Sequence, residues 1–387
     1  MDSGAPQSAP FSAAEQSRYS RHLTLPEIGV AGQKKLRAAR VLLVGAGGLG
    51  SPSSLYLAAA GVGTLGLVDN DRVELSNLQR QVLYGTDLIG QPKVHAARAR
   101  LEALNPDVRV EVYDIELTAA NVLDILSSYD LILDGSDRFR TRYLVNDACV
   151  LLGKPLISAA IHRFEGQATT YVPGAGPCYR CLFPAPPADG LVPNCAEAGV
   201  LGVLPGVMGA IQATEAIKLI VGAGELLIGR LLTYNALSLK FGEFRFGRRA
   251  DCPVCGDHPT IREVRDLPEA CGADDLAAVR RLDPRTLYAL LSGPHKPPVI
   301  VDVREPREFA VAHLPASVNI PVRELEGRLA ELSQHETVVF VCRSGARSLT
   351  ASGMAHRAGM RKPAHLEGGL LAWARDVDPS FEVAPVG

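Results

Sequence analysis

The sequence carries no excess charge of one sign, no uninterrupted apolar run long enough for a bilayer, and no internal repeat or low-complexity tract. Each absence removes a class of function. Its 40 Lys and Arg against 42 Asp and Glu leave a formal net charge of −2, which argues against general affinity for nucleic acid or anionic membranes. One long uncharged stretch, Ala198 to Thr214, holds Pro205, Gln212 and several glycines, and Glu215 and Lys218 follow at once. It reads as buried loop and helix, so no membrane span is expected. Met1 to Gln16 is rich in Ser, Ala and Pro but lacks an apolar centre, and reads as a loose tail and not a signal peptide. The 9 histidines show no ligand spacing, and His313 is taken as fold, not chemistry.

What is present is ordinary globular composition. The 387 residues are 47% apolar and 21% charged, enough for two or three domains with sizeable cores. The 8 cysteines include two C-x-x-C pairs, a usage that suits a reducing cytoplasm better than a secreted disulfide framework. From Arg40 the chain alternates "RVLLVG", "TLGLVD", "VRVEVYD", "DLILD" and "PLISAAI" with helical periodicity over Leu49–Ala60, Lys93–Leu104, Ala120–Leu126 and Arg140–Leu152. That alternation predicts an α/β fold, a mostly parallel sheet covered by helices. From Arg230 to Phe246 the pattern changes to consecutive antiparallel strands. Asp257 to Asp275 reads as a linker. A second, smaller α/β pattern follows, with a helix near Pro284–Leu291, strands "PVIVDV" and "TVVFVC", a helix over Ala346–Ala358, and "AHLEGG". The expected organisation is a tail (1–16), a nucleotide-binding domain (17–256), a linker (257–282) and a small α/β domain (283–387).

"VLLVGAGGLGSP" opens the first domain. Gly45, Gly47 and Gly50 fit G-x-G-x-x-G after a strand, and Asp69 stands where a ribose-binding acid is expected. On that ground alone the loop fits NAD or FAD. The next residues shift the balance. "DNDRVELSNLQRQ" and "GQPK" bring Asp71, Asn77, Arg80 and Lys93 close to the phosphate end, where a nicotinamide site has little use for them. Nucleotidyl transfer does need preplaced cations, because charge develops on the phosphoryl oxygens and the leaving pyrophosphate. Ser51 and Pro52 occupy the position of a Walker lysine, so Arg80 and Lys93 must supply the charge. Asp137, in "LDGSDR" at a strand end, can hold Mg2+ there.

The cysteines divide by context. Cys178 and Cys181 in "CYRC", with Cys252 and Cys255 in "CPVC", form two hooks suited to one tetrahedral structural zinc, two local disulfides being the alternative. Cys149 lies in an apolar run and reads as core. Cys271, in the linker, has no assigned role. Cys342 ends the strand "VVFVC" and opens "CRSGARS" before a helix, which aims backbone N–H groups at its sulfur and stabilises an anion. Arg343 and Arg347 add positive charge. The six-residue loop from Cys342 to Arg347 is shorter than a phosphate-cradling one, and favours a persulfide sulfur.

Taken together, "GAGGLGS", "LVDNDRVELSNLQRQ", "GQPK", "LDGSD", "EGQ", "CYRC", "NCAEAGV" and "CPVC" resemble the MoeB/ThiF adenylyltransferases over Ser17 to Gly256. "DVREPREF", "HLPASVNIP", the Cys342 loop and "LEGGLLAW" resemble a rhodanese domain over Asp283 to Pro379, and the fused arrangement resembles the MoeZ-like adenylyltransferase/sulfurtransferases. The first resemblance implies that Gly48, Asp69, Ser76, Asn77, Leu78, Gln79, Arg80, Lys93 and Arg138 line an ATP site, with Asp137 on Mg2+ and zinc on the four hook cysteines. It also implies that Arg21 reaches into a partner subunit's site, hence a homodimer, and that Cys195 in "VPNCAEAG" takes part in acyl or sulfur handling. The expected function is adenylation of the C-terminal glycine of a small ubiquitin-like sulfur carrier ending in Gly-Gly. Sulfur then moves from a Cys342 persulfide, charged by a cysteine desulfurase or thiosulfate, to form the carrier thiocarboxylate. Molybdopterin, thiamine, cysteine and tRNA thiolation all remain open as pathways. An NAD-dependent oxidoreductase and a non-catalytic docking scaffold are the alternatives.

Overall fold

A computed structural model describes residues 10–186, 199–267, 279–294 and 296–383. These fall into two compact units, one holding 10–186 and 200–267 and the other 279–383. The larger unit is built on eight strands: β1 (Arg40–Val44), β2 (Thr64–Val68), β3 (Arg109–Tyr113), β4 (Leu131–Asp134), β5 (Leu156–His162), β6 (Glu165–Tyr171), β7 (Arg230–Asn235) and β8 (Lys240–Arg245). Their order is β3-β2-β1-β4-β5-β6-β7-β8. The first five pair in parallel and the last three antiparallel. Every residue of β2 and β4 is buried, as strands covered on both faces require.

The antiparallel part begins at β6, earlier than the Arg230 boundary read from the sequence. Only Arg163 and Phe164 separate β5 from β6, and Arg163 takes φ +54 there, as a two-residue hairpin demands. β6, "EGQATTY", carries Gly, Gln and two Thr, so its apolar pattern is weak. The apolar segment that follows becomes the helix Leu204–Val221, long and apolar enough by length and composition to cross a membrane. It instead packs on the helix Gly50–Ala59 and on β5 and β6. Its Glu215 is buried, accepting from the Thr170 hydroxyl at 2.8 Å and the Leu227 N–H at 2.7 Å.

Two expectations about connecting segments change. Residues 13–16 are not loose tail: Ala13–Arg18 is a helix closed by a capping box between Ser12 and Glu15, which satisfies two otherwise unpaired N–H groups. Within the expected linker, Ile261 and Val264 pack on the larger core, and Asp266 accepts the Ala119 N–H at 3.0 Å. Its end, Arg280–Leu282, is a strand, β9. Three residues, two of them arginines, give no readable period.

β9 edges the second unit's sheet, joined by β10 (Val299–Asp302), β11 (Val318–Asn319), β12 (Val338–Val341) and β13 (Ala364–Leu366). The order is β11-β10-β12-β13-β9, all parallel. Phe340, Val301 and Leu325 centre one face, and Leu287, Leu366 and Leu370 the other.

One glycine of the opening motif is required by space. A Cβ on Gly50 would stand 2.0 Å from the Gly45 carbonyl oxygen. Gly50→Ala should therefore lower the unfolding free energy by about 1–3 kcal/mol, as overpacking does. Denaturant melts of the two proteins check this, and an unchanged midpoint would show that the loop can yield.

Candidate functional site

β1 and β4 are neighbours whose chains continue to opposite sides of the sheet, the switch point at which open α/β sheets bind ligands. The loops after them touch. A Cβ on Gly45, whose φ is +93, would lie 3.2 Å from the Gly135 carbonyl and 3.4 Å from the Ser136 nitrogen. The glycine loop and "GSD" thus lie side by side at the strand ends, with Asp137 exposed in the second loop. Arg80 borders the glycine loop, its Cδ 3.9 Å from where a Gly48 Cβ would be.

Asp69 ends the run after β2, and its carboxylate is a structural tie. It accepts the Ala46 N–H of the glycine loop at 2.8 Å and the Asp71 N–H at 2.9 Å. Burial raises its pKa, an effect that the nearby Lys93 opposes. The buried Lys93 ammonium itself lies 2.8 Å from the Asp71 carboxylate, and its backbone N–H donates to the Asp71 carbonyl at 2.9 Å. Tyr84 donates to the Ala46 carbonyl at 2.8 Å, bracing the same turn.

A short 3-10 turn, Leu75–Asn77, carries Ser76 and the buried Asn77. The Asn77 carbonyl accepts the N–H groups of Arg80 at 3.0 Å and Gln81 at 2.9 Å, which orients the segment through Leu78 and Gln79. Leu78 packs into the core beneath, while Gln79 is exposed. The Arg80 guanidinium donates to the Ser76 carbonyl at 3.1 Å.

Not every expected residue joins this cluster. Arg138 instead pairs with Glu116 at 3.2 Å. Arg21 is exposed on the short helix Ser20–Leu23. Cys195 and Cys271 lie outside the described residues.

Asp134 was not anticipated. It is fully buried at the end of β4. It accepts the Ser136 hydroxyl at 2.6 Å, the Ser136 N–H at 3.0 Å and the Ser158 hydroxyl at 3.3 Å, and faces Arg142 Nε at 3.4 Å. Burial works against the Arg142 charge, but Asp134 sustains it and its pKa is raised. The acid in "LDGSD" preceding Asp137 is the only sequence signal, and its role as the anchor of the loop needed the fold to appear.

The four hook cysteines converge, each offering a sulfur within 4.8 Å of the others. Cys178 Sγ and Cys252 Sγ are 3.7 Å apart, and Cys181 Sγ and Cys255 Sγ are 3.3 Å apart. All four are free thiols. These short pairs join one hook to the other, which does not fit two local disulfides. Zinc–thiolate bonds of about 2.3 Å imply a tetrahedral edge of about 3.8 Å, so the sulfurs are spaced for one ion. Burial and the neighbouring sulfurs push the Cys178 thiol up, and burial lifts Cys255 to about 11. Cys252 is also opposed by burial, yet the N–H groups of Cys255 and Val254 hold it below its ordinary value. Cys149 is buried core, as expected.

In the second unit, Cys342 follows β12 at the bottom of a closed turn. Its sulfur accepts the Gly345 N–H at 3.2 Å and the Ser348 N–H at 3.3 Å. Gly345 takes φ +96 at the N-cap of the helix Ala346–Arg357, aiming that helix at the sulfur. Arg347 forms a bidentate pair with Glu308 at 2.7 and 2.9 Å. Burial opposes the Glu308 charge, but Arg347 holds its pKa below the ordinary value. This pair straps the loop to the helix Pro306–Val311. The sulfur is fully buried, while Ser344 at the loop tip lines a cavity of 430 Å3 with Asp283, Glu367 and Arg375. His313 stacks on Phe309, ring centres 3.9 Å apart.

With this geometry in hand, three sets of likeness bear on the chain. The ThiF family matches residues 19–254, and the rhodanese-like domain matches residues 283–376. MoeZ of Mycobacterium tuberculosis, named a probable adenylyltransferase/sulfurtransferase, is 45% identical over 383 residues, covering 96% of each chain. A Thermus thermophilus protein named sulfur carrier protein adenylyltransferase is 55% identical over 263 residues, 67% of this chain and 97% of its own. Among solved structures, E. coli MccB crystallised with ATP aligns with a TM-score of 0.55 at 28% identity, over 62% of this chain and 74% of its own. An oxidoreductase reading is not favoured by any of these. The chain belongs to the ThiF family, with a rhodanese-like domain after it, and is an enzyme of the adenylyltransferase/sulfurtransferase class.

Proposed function

We propose that the chain binds ATP between the glycine loop and "GSD", and adenylates the C-terminal glycine of a small ubiquitin-like sulfur carrier ending in Gly-Gly. The observation that carries the reading is the meeting of the two loops at the switch point, with Arg80 beside Gly48, Lys93 paired with Asp71, and Asp137 exposed in the second loop. The names of the Thermus protein and of the ATP-containing MccB structure support it. The carrier carboxylate attacks the α-phosphate, pyrophosphate leaves, and an acyl-adenylate remains. Arg80 and Lys93 stabilise the developing charge. Asp137, exposed at the strand end, would hold Mg2+ with the phosphate oxygens and so offset their charge.

A persulfide on Cys342 then attacks the acyl carbon, AMP leaves, and the carrier is joined through an acyl disulfide. Attack on that disulfide by a second thiolate, which we assign to Cys195, releases the carrier thiocarboxylate and leaves Cys342 and Cys195 oxidised, to be reduced by cellular thiols. The sulfur on Cys342 comes from a cysteine desulfurase or from thiosulfate. Arg21 completes the site of a second subunit in a cytoplasmic homodimer. Pyrophosphate exchange across a panel of Gly-Gly carriers tests the adenylation step and selects the pathway. No exchange with any carrier would reject it.

The cysteine hooks hold one structural zinc, because four thiols at these spacings, three of them buried and Cys255 half-buried, complete a tetrahedral set with no open ligand position. Elemental analysis of reduced protein should find one zinc per chain. Cys178→Ser should lose it and unfold at lower temperature, with ATP contacts untouched. Four freely reactive thiols with no metal and unchanged stability would refute the site.

A further inference from the structure

Behind the Cys342 loop runs a polar chain that the sulfur-transfer steps above do not use. Cys342 Sγ lies 3.5 Å from Ser348 Oγ, and Ser348 Oγ lies 3.4 Å from His365 Nδ1. All three residues are buried. The Ser348 hydroxyl donates to the Gly345 carbonyl at 3.0 Å. With its proton committed to that carbonyl, Ser348 Oγ can only accept from the ring, so Nδ1 carries the ring proton. Nε2 is then a bare lone pair, and it has no hydrogen-bond partner among the described residues. Burial, with Arg281 adding to it, depresses the His365 pKa and keeps the ring neutral. A buried ring with one nitrogen empty is costly, and its other nitrogen faces the side chain nearest the reactive sulfur.

We propose that Ser348 and His365 are positioning residues for the Cys342 sulfur: the Ser348 hydroxyl turns from the Gly345 carbonyl, which keeps the Leu349 N–H, to the sulfur when the thiol ionises, and His365 Nδ1–H holds the hydroxyl oxygen. In the thiol state the S–H donates to Ser348 Oγ, and the hydroxyl proton is engaged by Gly345. A thiolate has no proton to give. The rotated hydroxyl then becomes a third donor beside the N–H groups of Gly345 and Ser348. The thiol proton leaves to water, and the relay itself transfers none.

The inference rests on reading Cys342 as the sulfur-bearing residue and adds how its reactive form is held. The other charges around the loop are fixed in pairs that the rotation leaves alone. Arg347 is paired with Glu308, Arg281 faces Glu367 at 3.7 Å, and the buried Arg304 is bound to Asp302 at 2.6 Å. Arg343 is a further cation of the loop.

Alkylation of Cys342 by iodoacetamide in the full chain, followed by peptide mass across roughly pH 6 to 9, tests this directly. Ser348→Ala should slow alkylation about tenfold at neutral pH and displace the profile upward, as loss of a hydrogen bond to a charged group does. Ser348→Thr keeps the hydroxyl and should recover the wild-type rate to within about threefold. His365→Phe should slow the reaction less, and adding it to Ser348→Ala should cost nothing further, because it acts through the hydroxyl. An unchanged profile in Ser348→Ala, or additive losses in the double variant, overturns the relay. If Ser348→Ala does not fold, a wild-type profile in His365→Phe overturns it instead. Thiosulfate:cyanide turnover on the same samples separates the two assignments. A wild type that never turns over but alkylates in a Ser348-dependent way supports the relay and removes sulfur transfer from Cys342.

Discussion

Cys342→Ser should leave adenylation intact and abolish sulfur transfer. The substitution keeps the turn, the Gly345 and Ser348 N–H donors and the Arg347–Glu308 strap, and replaces one sulfur by an oxygen that cannot carry a persulfide. The proposed ATP site at the β1–β4 switch point lies in the other compact unit. Its Lys93–Asp71 pair and its Asp69 tie to Ala46 are made within that unit. Carrier-dependent pyrophosphate exchange should therefore stay near wild type, while thiosulfate:cyanide turnover falls to background. Intact-mass measurement of the carrier reads the coupled reaction, because thiocarboxylate formation replaces one oxygen by sulfur. Excess free sulfide can attack the acyl-adenylate directly, so the donor is kept scarce. A normal thiocarboxylate yield from Cys342→Ser under those conditions would mean that the second unit is not the sulfur source.

Arg80→Ala and Lys93→Ala should each lower pyrophosphate exchange by about a hundredfold or more, the loss expected for a preorganised electrostatic group. The two losses differ in origin. Arg80 is partly exposed and, among the described residues, tied to the Ser76 carbonyl alone, so its removal should spare stability. Lys93 is buried against Asp71 and offsets the burial of Asp69, so Lys93→Ala also leaves two carboxylates without their cation. Its melting temperature should fall, and Lys93→Arg should restore stability more than exchange, because a guanidinium does not reproduce an ammonium's point charge. Wild-type exchange in both alanine variants would remove these residues from the chemistry.

The strands most easily read were those with both faces covered. "VLLV", "TLGLV" and "LILD" are continuous apolar runs because helices cover both sides of a parallel sheet. The glycine spacing, the paired C-x-x-C hooks and the cysteine after "VVFV" were legible for a related reason. Each is a local device, closed within a few residues, whose physical requirement is written at that spot. β6, β9 and β11 were not legible, since short or half-polar strands take their pairing from neighbours and not from their own pattern.

The sequence by itself determined the order of units, the two C-x-x-C hooks and the residue types at each strand end. Only the tertiary structure decided which of those residues meet. Asp134 became an anchor because the end of β4 buries it beneath Ser136, Ser158 and Arg142. Glu308 found Arg347 across 39 positions, and His365 found Ser348 across 17. A hydrogen bond between distant residues costs chain entropy that only a packed core can offset. Such pairs therefore leave no local trace, and the two cysteine hooks were exceptional in announcing their partner by having the same spacing.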